Sequence, residues 1–138
     1  MADDCIFCRI VAGEIPAQII EQDDDTLTFM DIAPATRGHA LVIPKRHATD
    51  LWEIEPGQLA AVTGAAQRQA LRVRDRLGAA GVNLINSCRP EAWQTVFHFH
   101  IHVIPRYAGD PLRLPWVPTA GDIDAIAATA AELRRHTA

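Results

Sequence analysis

Three histidines alternate with apolar residues in the run His98-Phe99-His100-Ile101-His102-Val103-Ile104. In an extended strand successive side chains point to opposite faces, so the three imidazoles share one face about 6.5–7 Å apart. Phe99, Ile101 and Val103 take the other face and anchor the run in a core. Buried imidazoles are costly unless each finds a hydrogen-bond partner or a metal, so the row implies chemistry rather than packing. Two kinds of chemistry fit it. Two or three of the histidines can ligate one catalytic metal. Alternatively, one imidazole attacks phosphorus while another donates to the phosphoryl oxygens. A neutral imidazole, with a pKa near ~6.5, is an available nucleophile at neutral pH, and phosphoryl transfer otherwise needs positioning and well-aimed donors. Spacing alone leaves both open.

Cys5 and Cys8 form a C-x-x-C pair. Redox use of such a pair needs a thioredoxin-like βαβ setting, which the chain lacks. The pair supplies two ligands for tetrahedral zinc, and two histidines would close the site. Other polar groupings read as structure. Cys88 is a small residue at a strand end. Asp23-Asp24-Asp25 is a solvated hairpin turn, since consecutive side chains do not converge on one ion. Arg68, Arg72, Arg74 and Arg76 form a solvated helix face rather than a phosphate site. His136 is solvated or a partner of the last helix dipole.

The elements that must position these groups can be read from the pattern. Cys5–Val11 is a short apolar turn closed by Gly13 and Pro16. Strands are expected at Gln18–Glu21, Thr26–Asp31, Ala40–Pro44 and Val82–Asn86, with the longest at Val96–Ile104, stopped by Pro105. Leu59, Val62, Ala66, Ala70, Val73 and Leu77 recur at helical spacing, with Pro56 near the start and Gly78 just past the end. Residues 109–118 hold three prolines and read as irregular. Asp122 caps a last helix with Ile123, Ile126, Ala130 and Leu133 on one face. This order implies an α+β fold with a mostly antiparallel sheet.

The 138 residues fit one domain, 1–138, able to bury a core without disulfides. A net charge of −4 argues against a nucleic-acid polymer as partner, but not against a mononucleotide. No apolar run is long enough for a membrane span and no secretory pattern opens the chain, so a cytoplasmic protein is expected.

Three blocks carry a resemblance. The first is Gln94-Thr95-Val96-Phe97-His98-Phe99-His100-Ile101-His102-Val103-Ile104-Pro105-Arg106. The second joins Phe29-Met30-Asp31-Ile32-Ala33-Pro34 to Arg37-Gly38-His39-Ala40-Leu41-Val42-Ile43-Pro44-Lys45-Arg46-His47. The third is Cys5-Ile6-Phe7-Cys8-Arg9-Ile10-Val11-Ala12-Gly13-Glu14-Ile15-Pro16. In order and spacing they resemble the histidine-triad (HIT) family from Cys5 to about Arg106. The tail beyond is not covered.

The resemblance implies a HIT-like fold: a five-stranded antiparallel sheet with one long helix and shorter terminal helices, two protomers joining into a homodimer. It implies a nucleotide hydrolase or nucleotidyl transferase that attacks the α-phosphate of a purine nucleotide, such as a nucleoside phosphoramidate, through a covalent nucleotidyl-histidine. His100 matches the nucleophile and His102 the phosphate donor. Gln94 and Thr95 match contacts to the phosphate or leaving group, and His39 a histidine behind the nucleophile. Asn86 matches a residue near ribose and phosphate, and Asp31 the ribose-binding carboxylate. Ile6, Phe7, Ile10, Phe29 and Ile32 match the walls of the base pocket. Many bacterial members carry a structural zinc, and here its ligands would be Cys5, Cys8, His47 and His98, one ion per chain and no organic cofactor. The chain departs from the pattern where the family commonly has glycine before the Gln-Thr pair: Trp93 stands there. A dinucleoside polyphosphate hydrolase, a nucleotide-binding regulator with vestigial catalysis and a metalloenzyme using the histidine row are the rival readings.

Overall fold

The computed structural model describes residues 4–135; His136 lies outside them. In chain order the elements are α1 (Ile6–Val11), β1 (Ile19–Gln22), β2 (Thr26–Met30), β3 (Ala40–Pro44), α2 (Pro56–Leu77), β4 (Gly81–Ile85), a 3₁₀ turn (Pro90–Ala92), β5 (Ile101–Arg106) and α3 (Ile123–Arg134). The fold is α+β, with one five-stranded sheet in the order β1-β2-β3-β5-β4. Every neighbouring pair is antiparallel.

Alternation along the strands divides the core in two. Val42, Phe99, Ile101 and Val103 face α2 and pack with Val62, Ala65 and Ala66. Leu27, Phe29, Leu41 and Ile43 face the other way and pack with Phe7 and Ile10 of α1. The long helix starts at Pro56 and ends at Gly78, whose φ of 71° is a left-handed cap that glycine takes without a Cβ clash. Its polar face is more than solvated. Arg68 Nη2 lies 2.7 Å from Glu21 Oε2 and Arg72 Nη2 lies 2.8 Å from Glu21 Oε1, so two of the four arginines tie α2 to β1.

Several expected bounds shift. The segment read as a turn after Cys5 is a helix, because Cys5 Sγ accepts the backbone N–H of Cys8 at 3.3 Å and caps it. The strands expected at Gln18–Glu21, Thr26–Asp31 and Val82–Asn86 begin or end one residue away. The strand expected at Val96–Ile104 lies instead at Ile101–Arg106. Phe99 N–H donates to Ala48 O at 2.7 Å rather than to a ladder, so pairing starts only at Ile101. Pro105 does not stop the strand, because β3 pairs no further than Val103 and leaves that side of Pro105 open. Its carbonyl there accepts the Thr36 hydroxyl, while β4 pairs along the other side as far as Arg106.

The Asp23 turn behaves as expected: its Oδ1 accepts the N–H of Asp25 and of Thr26. Asp122 caps α3 through the N–H of Ala125. No residue of α3 is buried among the described residues, and Ile123, Ile126 and Leu133 of its apolar face are exposed there.

Candidate active site and metal centre

The loop before β5 continues the alternation of the strand without its ladder. His98, His100 and His102 therefore lie on the α1 side, while Phe99 is in the α2 core. The row does not act as one unit. His98 turns to the cysteines, and the other two turn to a cavity.

Cys5, Cys8, His47 and His98 bring four donor atoms within 4.8 Å of one another. Cys5 Sγ is 3.2 Å from His98 Nδ1, Cys8 Sγ is 3.4 Å from His47 Nδ1, and the two Nδ1 atoms are 3.2 Å apart. His98 Nε2–H donates to Pro44 O at 2.8 Å, which places its proton there and leaves the Nδ1 lone pair to the cluster. Burial, then the adjacent Cys5, push the Cys8 thiol up to about 11. A divalent cation reverses that cost by binding the thiolates. Two thiols and two imidazole Nδ1 atoms suit tetrahedral zinc, and among the described residues no fifth Cys, His, Asp or Glu joins the group.

Hydrogen bonds assign the other tautomers. His100 Nδ1–H donates to the carbonyl of His98 at 2.8 Å, so Nε2 carries the free lone pair. Burial holds the His100 pKa below its usual value, keeping the ring neutral. Behind it, the N–H of Ala35 donates to His39 Nδ1 at 2.9 Å. The proton of a neutral His39 must then sit on Nε2, which donates to His102 Nδ1 at 2.9 Å. His102 in turn carries its proton on Nε2. Burial, with His100 and His39 nearby, pushes the His102 pKa down to about 4. Asp31 Oδ2 lies 3.4 Å from His39 Nε2. Asp31, His39 and His102 also converge closely enough for a metal, but His39 would first have to lose either its Nε2 proton or its bond from Ala35. The trio reads better as a relay that orients His102.

A cavity of about 330 Å³ opens beside these rings. Ile6, Phe7, Ile10, Phe29, Asp31 and Ile32 line it, and so do Thr95, His100 and His102. Phe7 stacks edge-on against His100 with centroids 5.2 Å apart. Three expected residues are near the cavity without lining it. His39 is buried behind His102. Asn86 donates through Nδ2 to the carbonyl of His100 at 2.9 Å. Gln94 is buried: its Oε1 accepts the N–H of Arg89 at 2.7 Å, and its Nε2 donates to Thr49 O at 2.7 Å. Met30, Leu41 and Trp93 also line the cavity, with Ile15, Pro16, Ala17 and Val96. The hydrophobic pattern marks Met30 and Leu41 only as core, whereas Trp93 is visible in sequence as a departure from the glycine of the resemblance.

The HIT domain family matches residues 12–109. The chain is 39% identical over 122 residues to the protein "hit" of Bacillus subtilis, spanning 88% of this chain and 84% of that one. It is 48% identical over 111 residues to an uncharacterized HIT-like protein of Mycobacterium tuberculosis, spanning 80% and 76% respectively. Among solved structures, SMU.412c from Streptococcus mutans superposes with a TM-score of 0.91 at 38% identity, covering 96% of this chain and 84% of that one. A Zn-bound histidine triad family protein from Mycobacterium smegmatis superposes with a TM-score of 0.79 at 40% identity, covering 96% and 97%.

Proposed function

The chain belongs to the HIT family, and from that premise we propose that it is a nucleotide hydrolase acting at the α-phosphate of a purine nucleotide, with nucleoside phosphoramidates as its preferred class. The observation that carries this reading is the bond from His100 Nδ1–H to the His98 carbonyl, which leaves Nε2 as the free nitrogen of a neutral, cavity-lining ring. The His100 Nε2 lone pair attacks phosphorus while the bond to the leaving amine breaks. The amine leaves with that electron pair and takes up a proton. Water then attacks the nucleotidyl-histidine, its proton is released, and His100 is regenerated with the nucleoside monophosphate. His102 Nε2–H donates to the phosphoryl oxygens where negative charge develops. Thr95 supports the same oxygens from the cavity wall. Asp31 takes the ribose hydroxyls, and the base lies between Ile6, Phe7, Ile10, Phe29 and Ile32.

Asn86 and Gln94 act on this reading through the backbone, by fixing the His100 carbonyl and the loop that carries Thr95. Cys5, Cys8, His47 and His98 would hold one zinc, which stabilises the fold: a closed four-ligand site leaves no position for substrate. The protein works as a homodimer of single 1–138 domains in the cytoplasm. Supporting the dimer, the edge strand β4 leaves Leu84 and Ile85 exposed. No helix is long and apolar enough to cross a membrane among the described residues.

The deciding experiment compares kcat/KM for adenosine 5′-phosphoramidate and a diadenosine polyphosphate, then traps the intermediate by acid quench and maps it. An adduct on His100 with faster phosphoramidate turnover is expected. An adduct on another residue overturns the mechanism, and a clear polyphosphate advantage overturns the substrate class.

A further inference from the structure

Trp93 adopts φ 76° and ψ 20°, the left-handed conformation, as the residue closing the 3₁₀ turn Pro90–Ala92. A side chain with a Cβ pays for that conformation and glycine does not. The indole gains little packing in return, since Trp93 is 72% exposed. Four residues earlier, Arg89 takes φ 78° and ψ 160°, a region nearly reserved for glycine. The loop between them is clamped from the interior. Arg89 Nε lies 2.8 Å from Oδ2 of Asp50, which is fully buried. The Arg89 guanidinium sits 5.0 Å over the Trp52 ring, and the buried Gln94 accepts the Arg89 N–H. Strain of this kind persists only where the surroundings impose it, and it clusters at ligand sites.

The same Trp93 lines the cavity that holds His100 and His102. The apolar walls from α1 and β2 already provide for one flat group, the base of the reading above. Trp93 comes from a separate element, the loop before β5, and adds an indole to the wall beside Phe7 and Phe29. We propose that Trp93 is a specificity-determining residue that stacks on a flat, aromatic leaving group, so that preferred substrates carry a π-system on the far side of the scissile bond from the nucleoside. The proposal rests on the nucleotidyl-transfer reading. The π-system has two sources, an arylalkyl amine or the base of a second nucleotide, and both offer a face to the indole.

The test uses two matched substrate pairs. Adenosine 5′-phosphoramidates of benzylamine and cyclohexylmethylamine differ in the flatness of the ring. Diadenosine tetraphosphate and its analogue with an abasic ribose in place of the second adenosine differ in the second base. The readout is the ratio of kcat/KM within each pair, and the ratio of Kd by calorimetry, in wild type, Trp93→Gly and Trp93→Phe. Glycine suits the left-handed backbone, so Trp93→Gly folds. The expected result is a preference for the aromatic member in wild type that falls about tenfold in Trp93→Gly and survives largely in Trp93→Phe. A fall in the first pair alone names the amine as the source, and in the second alone the nucleobase. Ratios unchanged in both pairs overturn the proposal and leave the nucleotide reading intact. Absence of binding and turnover with all four compounds overturns both. A Trp93→Gly protein that dissociates to monomers, by light scattering, also overturns it, since the indole would then cover a second copy.

Discussion

The carbonyl oxygen of His98 accepts the Nδ1–H of His100 at 2.8 Å, so the histidine that faces the cysteines sets the tautomer of the one that faces the cavity. The bond leaves Nε2 of the neutral His100 ring unprotonated. His100→Ala is expected to lower kcat by roughly 10³-fold or more while nucleotide Kd changes little, because the walls that grip base and ribose belong to other residues. Full turnover by a folded His100→Ala protein would exclude the mechanism.

His39 is expected to act on rate rather than on binding. Its Nε2–H holds His102 Nδ1 as an acceptor, and its own Nδ1 is fixed by the N–H of Ala35. His39→Ala frees His102 to carry its proton on Nδ1, turning a lone pair instead of a donor towards the phosphate. A loss of about 10- to 100-fold in kcat is expected, with KM nearly constant. His39→Gln, whose amide can still donate to His102, should recover part of it. A purely structural role would lower both variants alike in melting temperature and leave the activity of the folded fraction unchanged.

Metal removal should separate stability from chemistry. Cys8→Ala deletes a donor 3.4 Å from His47 Nδ1, and Cys5→Ala deletes both a donor and the cap of α1. Each is expected to lose the single zinc per chain by elemental analysis and to melt about 5–10 °C lower. Substantial activity should remain in the folded fraction, because Pro44 O still holds the His98 ring and the His98 carbonyl still meets His100. Wild-type protein purified without chelator and found free of zinc would refute the site.

How much of this was legible in the sequence differs from residue to residue. The α2 stripe, its end at Gly78 and the division of Phe99 from its flanking histidines follow from period and residue type alone. The approach of Cys5 and Cys8 to His47 and His98 does not, since those pairs are separated by 39 to 93 positions and only the resemblance joins them. The late start of β5 depends on Ala48 O capturing the Phe99 N–H, a contact between distant loops that no local pattern records. Only the resemblance makes Gln94 a contact to the phosphate or leaving group, and the backbone groups of Arg89 and Thr49 draw its side chain inward. A six-residue helix such as α1 is too short for periodicity to reveal, and a thiol cap is not a usual start signal.

That inward turn makes Gln94 a test of the loop. Gln94→Ala leaves the Arg89 N–H and the Thr49 carbonyl without their side-chain partner in a partly buried setting, at a cost of about 1 kcal/mol. Urea denaturation should show a lower midpoint with an unchanged slope. Unchanged stability would mean that water or ligand replaces those bonds and that Gln94 is free to meet a phosphate.

The acid limb of stability should report the link between β1 and α2. The bond from Arg68, assisted by Arg72, lowers the Glu21 pKa from its ordinary 4.5. A carboxylate with a depressed folded pKa contributes stability that is fully present above its unfolded value and lost as pH falls through the folded one. Unfolding free energy is therefore expected to hold steady down to about pH 4.5 as far as Glu21 is concerned, then decline below it. Glu21→Gln removes the charge at all pH values, so it should be less stable than wild type at pH 7 and show a shallower decline in acid. The pair is partly exposed and screened by salt, so the difference at pH 7 should be modest, about 1 kcal/mol, and should shrink in 1 M salt. Parallel acid limbs for the two proteins would place the pH dependence on other carboxylates and reduce the Glu21 contact to geometry without energetic weight.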